Sequence, residues 1–250
     1  MIKEAAKLYS EFIQRFPFTP TSKQDQLLDQ LATFVLSKNK KSLFLLKGYA
    51  GTGKTTIIST LVNNLWRCGI KSVLLAPTGR AAKVIGKYSS KPAYTIHKKI
   101  YHPKKKKDGG VSFVLQKNKH TNTIFIVDEA SMIPDRPSDA KLFDNGSLLD
   151  DLLFYVYSGN NCKLILIGDT AQLPPVKLDL SPALNSETLR LQYDKDVEGI
   201  ELTEVMRQHE ESGILSNATQ LRINLQDNYF GDFKFDIGFS DIIRLTDGYD

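Results

Sequence analysis

Four short apolar runs punctuate the chain: Leu43–Leu46, Val73–Ala76, Ile124–Val127 and Leu164–Ile167. Each has the length of a strand and none alternates with polar positions, which is the pattern of strands covered on both faces in a parallel sheet. Helical spacing fills the intervals, over about 54–67, 80–87 and 146–157. Ahead of the first run, residues 4–15 mix charged and apolar positions at helical spacing, and Pro17 and Pro20 then break the chain. Thr21-x-x-Gln24 has the form of a capping box, opening a helix over about 22–37 with Leu27, Leu28, Leu31 and Phe34/Val35 on its buried face. Strands alternating with helices predict an α/β doubly wound domain with a mainly parallel sheet between two helical layers.

One segment departs from that rhythm. Residues 98–119 hold eight lysines and a single acid, Asp108. Asp108-Gly109-Gly110 supplies a turn, and Val111, Phe113 and Leu115 follow at period two, so a small β-hairpin inserted into the α/β core is expected over 99–119. Beyond about residue 223 the signals weaken: Phe230, Phe233, Phe235 and Phe239 lie in a stretch rich in Gly and Asp.

The chemistry gathers at the ends of the apolar runs. Gly48-Tyr49-Ala50-Gly51-Thr52-Gly53-Lys54-Thr55 fits GxxxxGK[ST], with a strand before it and a helix after it. Its glycines let the backbone wrap so that N–H groups point at phosphate oxygens, helped by the positive end of the new helix. Gly48, Ala50, Gly51, Thr52, Gly53, Lys54, Thr55 and Thr56 are therefore the candidate nucleotide-binding residues. Lys54 reaches the β- and γ-phosphates, and Thr55 can ligate Mg²⁺. The third run ends in Asp128-Glu129-Ala130-Ser131, placing two acids where open α/β sheets bind ligands. Asp128 is the candidate Mg²⁺ ligand and Glu129 the base for an attacking water. The fourth run ends in Gly168-Asp169-Thr170-Ala171-Gln172-Leu173-Pro174-Pro175, where the neutral Gln172 can both donate to a γ-phosphate and accept from water.

This series resembles helicase superfamily 1, in its RecD/Dda-like (1B) branch, over roughly residues 18–222. Phe18-Thr19-Pro20 with Gln24 is similar to that family's Q motif, and the resemblance implies that Gln24 reads an adenine edge. Gly48–Thr55 and Asp128–Ser131 correspond to motifs I and II, and Gly168–Pro175 to motif III. Pro77-Thr78-Gly79-Arg80, with Lys83 beyond it, resembles motif Ia, and Thr95-Ile96-His97 the T-x-H element; these imply Pro77, Thr78, Gly79, Arg80, Lys83, Thr95 and His97 as contacts to single-stranded DNA. Leu202–Gln208 resembles motif IV, whose arginine, here Arg207, approaches the γ-phosphate. Lys54, Asp128, Glu129, Gln172 and Arg207 are thus the expected catalytic set. The P-loop NTPase fold, of RecA-like kind, is implied over 1–98 and 120–205, with 99–119 as a 1B-type pin that splits the duplex. The implied activity is ATP- and Mg²⁺-dependent 5′→3′ helicase movement on single-stranded DNA and at single-strand/duplex junctions. Recombination or replication proteins are the implied partners, and a helicase subunit of a nuclease complex, like the exodeoxyribonuclease V α subunit, is one form of this. Motifs V and VI are not found. The 43 residues after Arg207 are too few for a second α/β domain, so 206–250 is expected to be a linker or the start of one.

Bulk properties narrow this little. Apolar residues make up 41% and charged residues 24%, ordinary for a chain with a sizeable core. A net charge of +5 suits a polyanionic partner. Two distant cysteines, Cys68 and Cys162, have no zinc spacing and read as free thiols of a reducing compartment. With no signal core and no apolar run near ~20 residues, a cytoplasmic location away from membranes is expected. Two other readings stay open: a P-loop ATPase that does not act on DNA, which leaves the motif Ia and III sequences unexplained, and a non-catalytic nucleic-acid-binding remnant, against which the intact Lys54, Asp128 and Glu129 argue.

Overall fold

Each apolar run becomes a strand because its alternate side chains are buried on opposite faces of one sheet. The computed structural model describes residues 2–105, 110–134, 147–172, 181–204, 212–227, 229 and 231–243. In chain order the elements are α1 Ile2–Arg15, α2 Ser22–Leu36, β1 Ser42–Gly48, α3 Lys54–Asn64, β2 Lys71–Ala76, α4 Gly79–Ser89, β3 Ala93–Thr95 and α5 Ile96–Ile100. There follow β4 Tyr101–Lys105, β5 Val111–Leu115, β6 Thr121–Val127, α6 Leu148–Tyr157, β7 Asn160–Gly168, α7 Ser186–Leu191, β8 Asp196–Leu202 and α8 Gly213–Gln226. Six strands form a parallel sheet in the order β3-β2-β6-β7-β1-β8. This is the predicted three-layer α/β/α fold.

Two apolar cores flank the sheet. Leu43, Leu45, Val73, Leu75, Phe125, Val127, Leu164 and Leu166 face the side covered by α5, α6 and α7. Phe44, Leu46, Leu74, Ile124, Ile126, Ile165 and Ile167 face α1, α2, α3 and α4. Removing apolar surface from water on both sides is what selects continuous apolar runs for the central strands. The α2 prediction holds: Thr21 caps the helix in a reciprocal box with Gln24, and Leu27, Leu28, Leu31 and Phe34 are fully buried.

The edge strands were not foreseen. β3 has only three residues, and β8 (Asp-Val-Glu-Gly-Ile-Glu-Leu) is a largely exposed edge strand in which Val197 reaches one core and Ile200 and Leu202 the other. Lys163, at the start of β7, is buried yet charged. Its ammonium donates to the carbonyls of Phe34, Val35 and Ser37, so it caps the carboxyl end of α2 from the sheet face that α2 covers.

The basic segment contains the expected hairpin, β4 against β5 with Tyr101 opposite Leu115. The period-two row is only partly inward: Phe113 and Leu115 pack on the core while Val111 is exposed and Ser112 is buried. The turn residues 106–109 lie outside the described residues.

The chain divides into two units, Met1–Val205 and Met206–Asp250. In the second, the Asp241 carboxylate caps α8 by accepting from the Ser212 hydroxyl and the Gly213 and Ile214 N–H groups. The buried Asn217 side chain joins the helix to Asp236 through both its amide atoms.

Candidate functional site

Because the sheet strands run parallel, every motif that follows a strand emerges at the same edge. Register fixes this: Gly48 lies opposite Leu202, Lys47 opposite Gly168, Val127 opposite Leu166 and Ala76 opposite Thr95. The P-loop, the acidic pair, the Gln172 turn and the Thr78 and Thr95 turns therefore line one crevice edge, where open α/β sheets bind ligands.

Between β1 and α3 the loop turns back through Gly51 (φ 84°) and Gly53 (φ 87°), a conformation costly for any residue with a Cβ. Thr52 is buried, its hydroxyl donating to the Tyr49 carbonyl at 2.8 Å. Lys54 points into the cradle and donates to the carbonyls of Gly48 and Tyr49, holding the loop closed on itself. Gln24 is spent on the same loop. Its Nε2 donates to the Thr52 carbonyl (3.0 Å), its Oε1 accepts from Thr21 N–H (3.1 Å), and only 3% of the residue is exposed. A Cβ on Gly53 would stand 2.6 Å from that Nε2. The resemblance implied an adenine reader; here both ends of the amide brace the P-loop against α2. Thr55 and Thr56 line a cleft of about 430 Å³ that continues past Ser59 to Asn64 on one wall and Arg15, Pro17 and Phe18 on the other. Phe18 is 69% exposed, a large apolar side chain left open beside the loop.

The acidic pair is under electrostatic stress. Burial, then the neighbouring Glu129 carboxylate, pushes the Asp128 pKa up to about 6, while the Lys54 charge pulls against the shift. Glu129 itself sits in the left-handed region (φ 56°, ψ 38°), strain of the sort held at functional positions. A cation at Asp128 would relieve the stress, and hydroxyl and carboxylate oxygens are the donors Mg²⁺ takes, so Thr55 and Asp128 fit that ion. Among the described residues no cluster of three or more His, Cys, Asp or Glu forms a metal site of another kind.

A further contact escaped the sequence reading. The Ser131 hydroxyl donates to Gln172 Oε1 at 2.9 Å, tying the turn after β7 to the acidic turn after β6. Gly168 permits that approach, for a Cβ there would lie 3.1 Å from Ser131 N. Leu173, Pro174, Pro175 and Arg207 lie outside the described residues.

On the neighbouring strands, Thr78 caps α4 and Thr95 caps α5, their hydroxyls accepting from Ala81 N–H and Lys98 N–H. Pro77 is half-buried beside the cap; Gly79 and Arg80 are exposed on the first turn of α4 and Lys83 just beyond it. His97 is half-buried against Tyr101, with ring centroids 5.8 Å apart, and burial lowers its pKa, favouring the neutral ring. The structure thus divides the predicted residues between a phosphate cradle (β1, β6, β7) and an adjacent pair of turns (β2, β3).

Comparison with known proteins agrees with this arrangement. The AAA domain family matches residues 21–232. The chain is 30% identical over 202 residues to the ATP-dependent RecD2 DNA helicase of Deinococcus radiodurans, a match covering 79% of this chain and 23% of that protein. It is 31% identical over 191 residues to the ATP-dependent DNA helicase dda of Enterobacteria phage T4, covering 74% of this chain and 39% of that protein. The chain therefore spans well under half the length of these relatives. Among solved structures, the Pif1 helicase from Candida albicans shares the fold with a TM-score of 0.53 at 23% identity, covering 82% of this chain and 44% of that one. A match running from the α2 capping box through α8 makes this chain a member of the AAA domain family, similar over most of its own length to the RecD2 and dda helicases.

Proposed function

We propose that this domain is the ATP-hydrolysing half of a DNA helicase motor, moving 5′→3′ along single-stranded DNA and acting at single-strand/duplex junctions. RecD2 and dda are ATP-dependent DNA helicases, which supports the reading. One observation carries it. The Asp128 N–H donates to the Leu75 carbonyl of β2 at 2.9 Å, and Pro77 and Thr78 lie two and three residues beyond that carbonyl. The acid of the nucleotide site is therefore bonded directly to the strand that presents the candidate DNA contacts.

In this reading Lys54 leaves the Gly48 and Tyr49 carbonyls for the β- and γ-phosphates, and the adenosine lies toward the cleft walled by Phe18. Thr55 and Asp128 hold Mg²⁺, which supplies charge neutralisation on the phosphates when bound. Glu129 orients and deprotonates the attacking water. Gln172, held by Ser131, senses whether the γ-phosphate is present. Pro77, Thr78, Gly79, Arg80, Lys83, Thr95 and His97 track the DNA backbone and its bases. Residues 1–98 and 120–205 form the first RecA-like domain, and 99–119 the pin.

The test is fluorescence anisotropy of a labelled oligo-dT, with and without a non-hydrolysable ATP analogue, across a salt series. Binding that weakens with salt and shifts with the analogue is expected, because released counterions and nucleotide state both set affinity. Confirmed nucleotide binding with no DNA binding at low salt and no DNA stimulation of ATP hydrolysis would sink the helicase reading in favour of an ATPase that acts elsewhere.

A further inference from the structure

We propose that Tyr101 and Asp151 are a positioning pair that locks the basic hairpin to α6, so that strand opening stays coupled to ATP hydrolysis; this rests on the helicase reading above. Tyr101 is the first residue of β4, and its phenol donates to Asp151 Oδ2 at 2.6 Å inside the protein, with 7% and 4% of the two residues exposed. The returning leg is fixed as well. Gln116 N–H donates to the Ile100 carbonyl (2.7 Å), and Gln116 Nε2 to the Tyr101 carbonyl (2.6 Å). Two residues on, the buried Asn118 donates to the carbonyls of Tyr155 and Val156 at the carboxyl end of α6. Both feet of the hairpin thus hold one helix, at points a single turn apart.

The position of α6 gives that grip its consequence. Through Ser158 and Gly159 it leads into β7, whose far end carries Gly168 and the turn to Gln172. On the other side, Tyr101 directly follows α5, whose Thr95 cap and His97 belong to the candidate DNA contacts, and Ile96 and Ile100 anchor α5 in the same core. A hairpin joined by bonds to the helix that feeds the Gln172 turn moves with the nucleotide site as one body. Without the Tyr101 bond, hydrolysis proceeds while the hairpin yields.

The experiment uses the intact protein with Tyr101→Phe, Asp151→Leu and Asp151→Asn, the last keeping an oxygen that accepts from the phenol. Tyr193→Phe serves as control, since its phenol bonds Asp150, the residue before Asp151 on the same helix. Hydrolysis stimulated by single-stranded DNA and opening of a forked duplex are measured side by side. For Tyr101→Phe and Asp151→Leu, fork opening per ATP is expected to fall about tenfold, the scale of one buried charge-assisted hydrogen bond, with hydrolysis within about twofold of the parent. Asp151→Asn and Tyr193→Phe should open the fork at the parent rate. Amide exchange over 101–105 and 111–117 should quicken in Tyr101→Phe while β1 and β7 stay protected. Equal base pairs opened per ATP in Tyr101→Phe and parent overturn the coupling alone, as does a loss of hydrolysis in step with opening. A parent protein that neither responds to DNA nor opens the fork overturns the helicase reading, and the coupling with it.

Discussion

Replacing Gln24 separates two roles that one side chain cannot hold at once. The structure spends the amide on Thr21 N–H and the Thr52 carbonyl, whereas an adenine reader would turn it toward the base. Gln24→Leu keeps the volume and removes both bonds. Thr52 is 1% exposed, so its carbonyl is left buried without its side-chain partner, which costs about 1–3 kcal/mol. Losing half of the capping box adds roughly 0.5–1 kcal/mol. The greater apolar burial of leucine offsets about 1 kcal/mol. A net loss near 2 kcal/mol lowers the melting temperature by about 4–8 °C for a chain of this size. With its brace gone, the P-loop binds ATP and GTP more weakly to the same degree, about fivefold, or ~1 kcal/mol. Gln24→Glu isolates the second bond, since a carboxylate still accepts from Thr21 N–H but has no proton for the Thr52 carbonyl. Thermal melts and titrations with both nucleotides decide the matter. If ATP affinity fell more than about tenfold while GTP affinity held, the amide would be reading the base and the brace argument would be wrong.

Three other perturbations follow from the same geometry. Burial pushes the Lys163 ammonium down to about 8, so the folded protein releases this proton before the unfolded chain, whose ordinary value is 10.5. The stability of the parent relative to Lys163→Met should therefore rise between about pH 8 and 10.5, by on the order of 3 kcal/mol, and a difference that stays flat across denaturant melts at these pH values contradicts it. The raised Asp128 pKa has the opposite sign: without metal, the proton's contribution to stability is complete below 3.8 and disappears as pH rises through about 6. Because Mg²⁺ must displace that proton, Mg²⁺-dependent nucleotide binding should weaken up to about tenfold per pH unit below 6, and Asp128→Asn should abolish the dependence in a Mg²⁺ titration. For Glu129→Gln, nucleotide affinity should stay within about twofold while hydrolysis drops at least about 100-fold; Glu129→Gly, which removes the Cβ from a residue at φ 56°, should do the same and melt no lower than the parent, and a lower melting temperature counts against strain at this turn.

What the sequence made legible follows from where each interaction lies along the chain. The four apolar runs announced the central strands because burial on both faces leaves no polar position in them. β8 escaped because a strand at the sheet edge keeps Glu198 and Glu201 in water, and its three scattered apolar positions resemble a loop as much as a strand. The Thr21/Gln24 box was readable as a local motif, but the second bond of the same amide spans 28 residues and no spacing rule reaches it. Lys163 is the extreme case. A charged residue opening an apolar run looks like a strand end in solvent, yet its acceptors lie 126 to 129 residues earlier. The hairpin shows both sides: its turn chemistry at Asp108-Gly109-Gly110 was plain, and its anchor at Asp151 was not.

The candidate site divides the same way, and under the proposed function the division bears on how two ligands would be coupled. Motifs are contiguous because each is a turn leaving one strand, so sequence displays them; coupling lies between turns, so sequence hides it. Asp128 N–H to Leu75, Ser131 to Gln172 and Lys23 to Thr203 each join a different pair of elements at the same sheet edge. Each bond is of ordinary length, 2.9 to 3.0 Å, and each crosses between elements rather than along one. A phosphate that drew Lys54 out of the closed loop would change the field at Asp128, and Asp128 is bonded to the strand that ends at Ala76, just before Pro77. Under the proposed helicase reading, the shortest physical route from nucleotide to DNA is therefore one backbone hydrogen bond across neighbouring parallel strands, so that hydrolysis and grip would need no long relay between them.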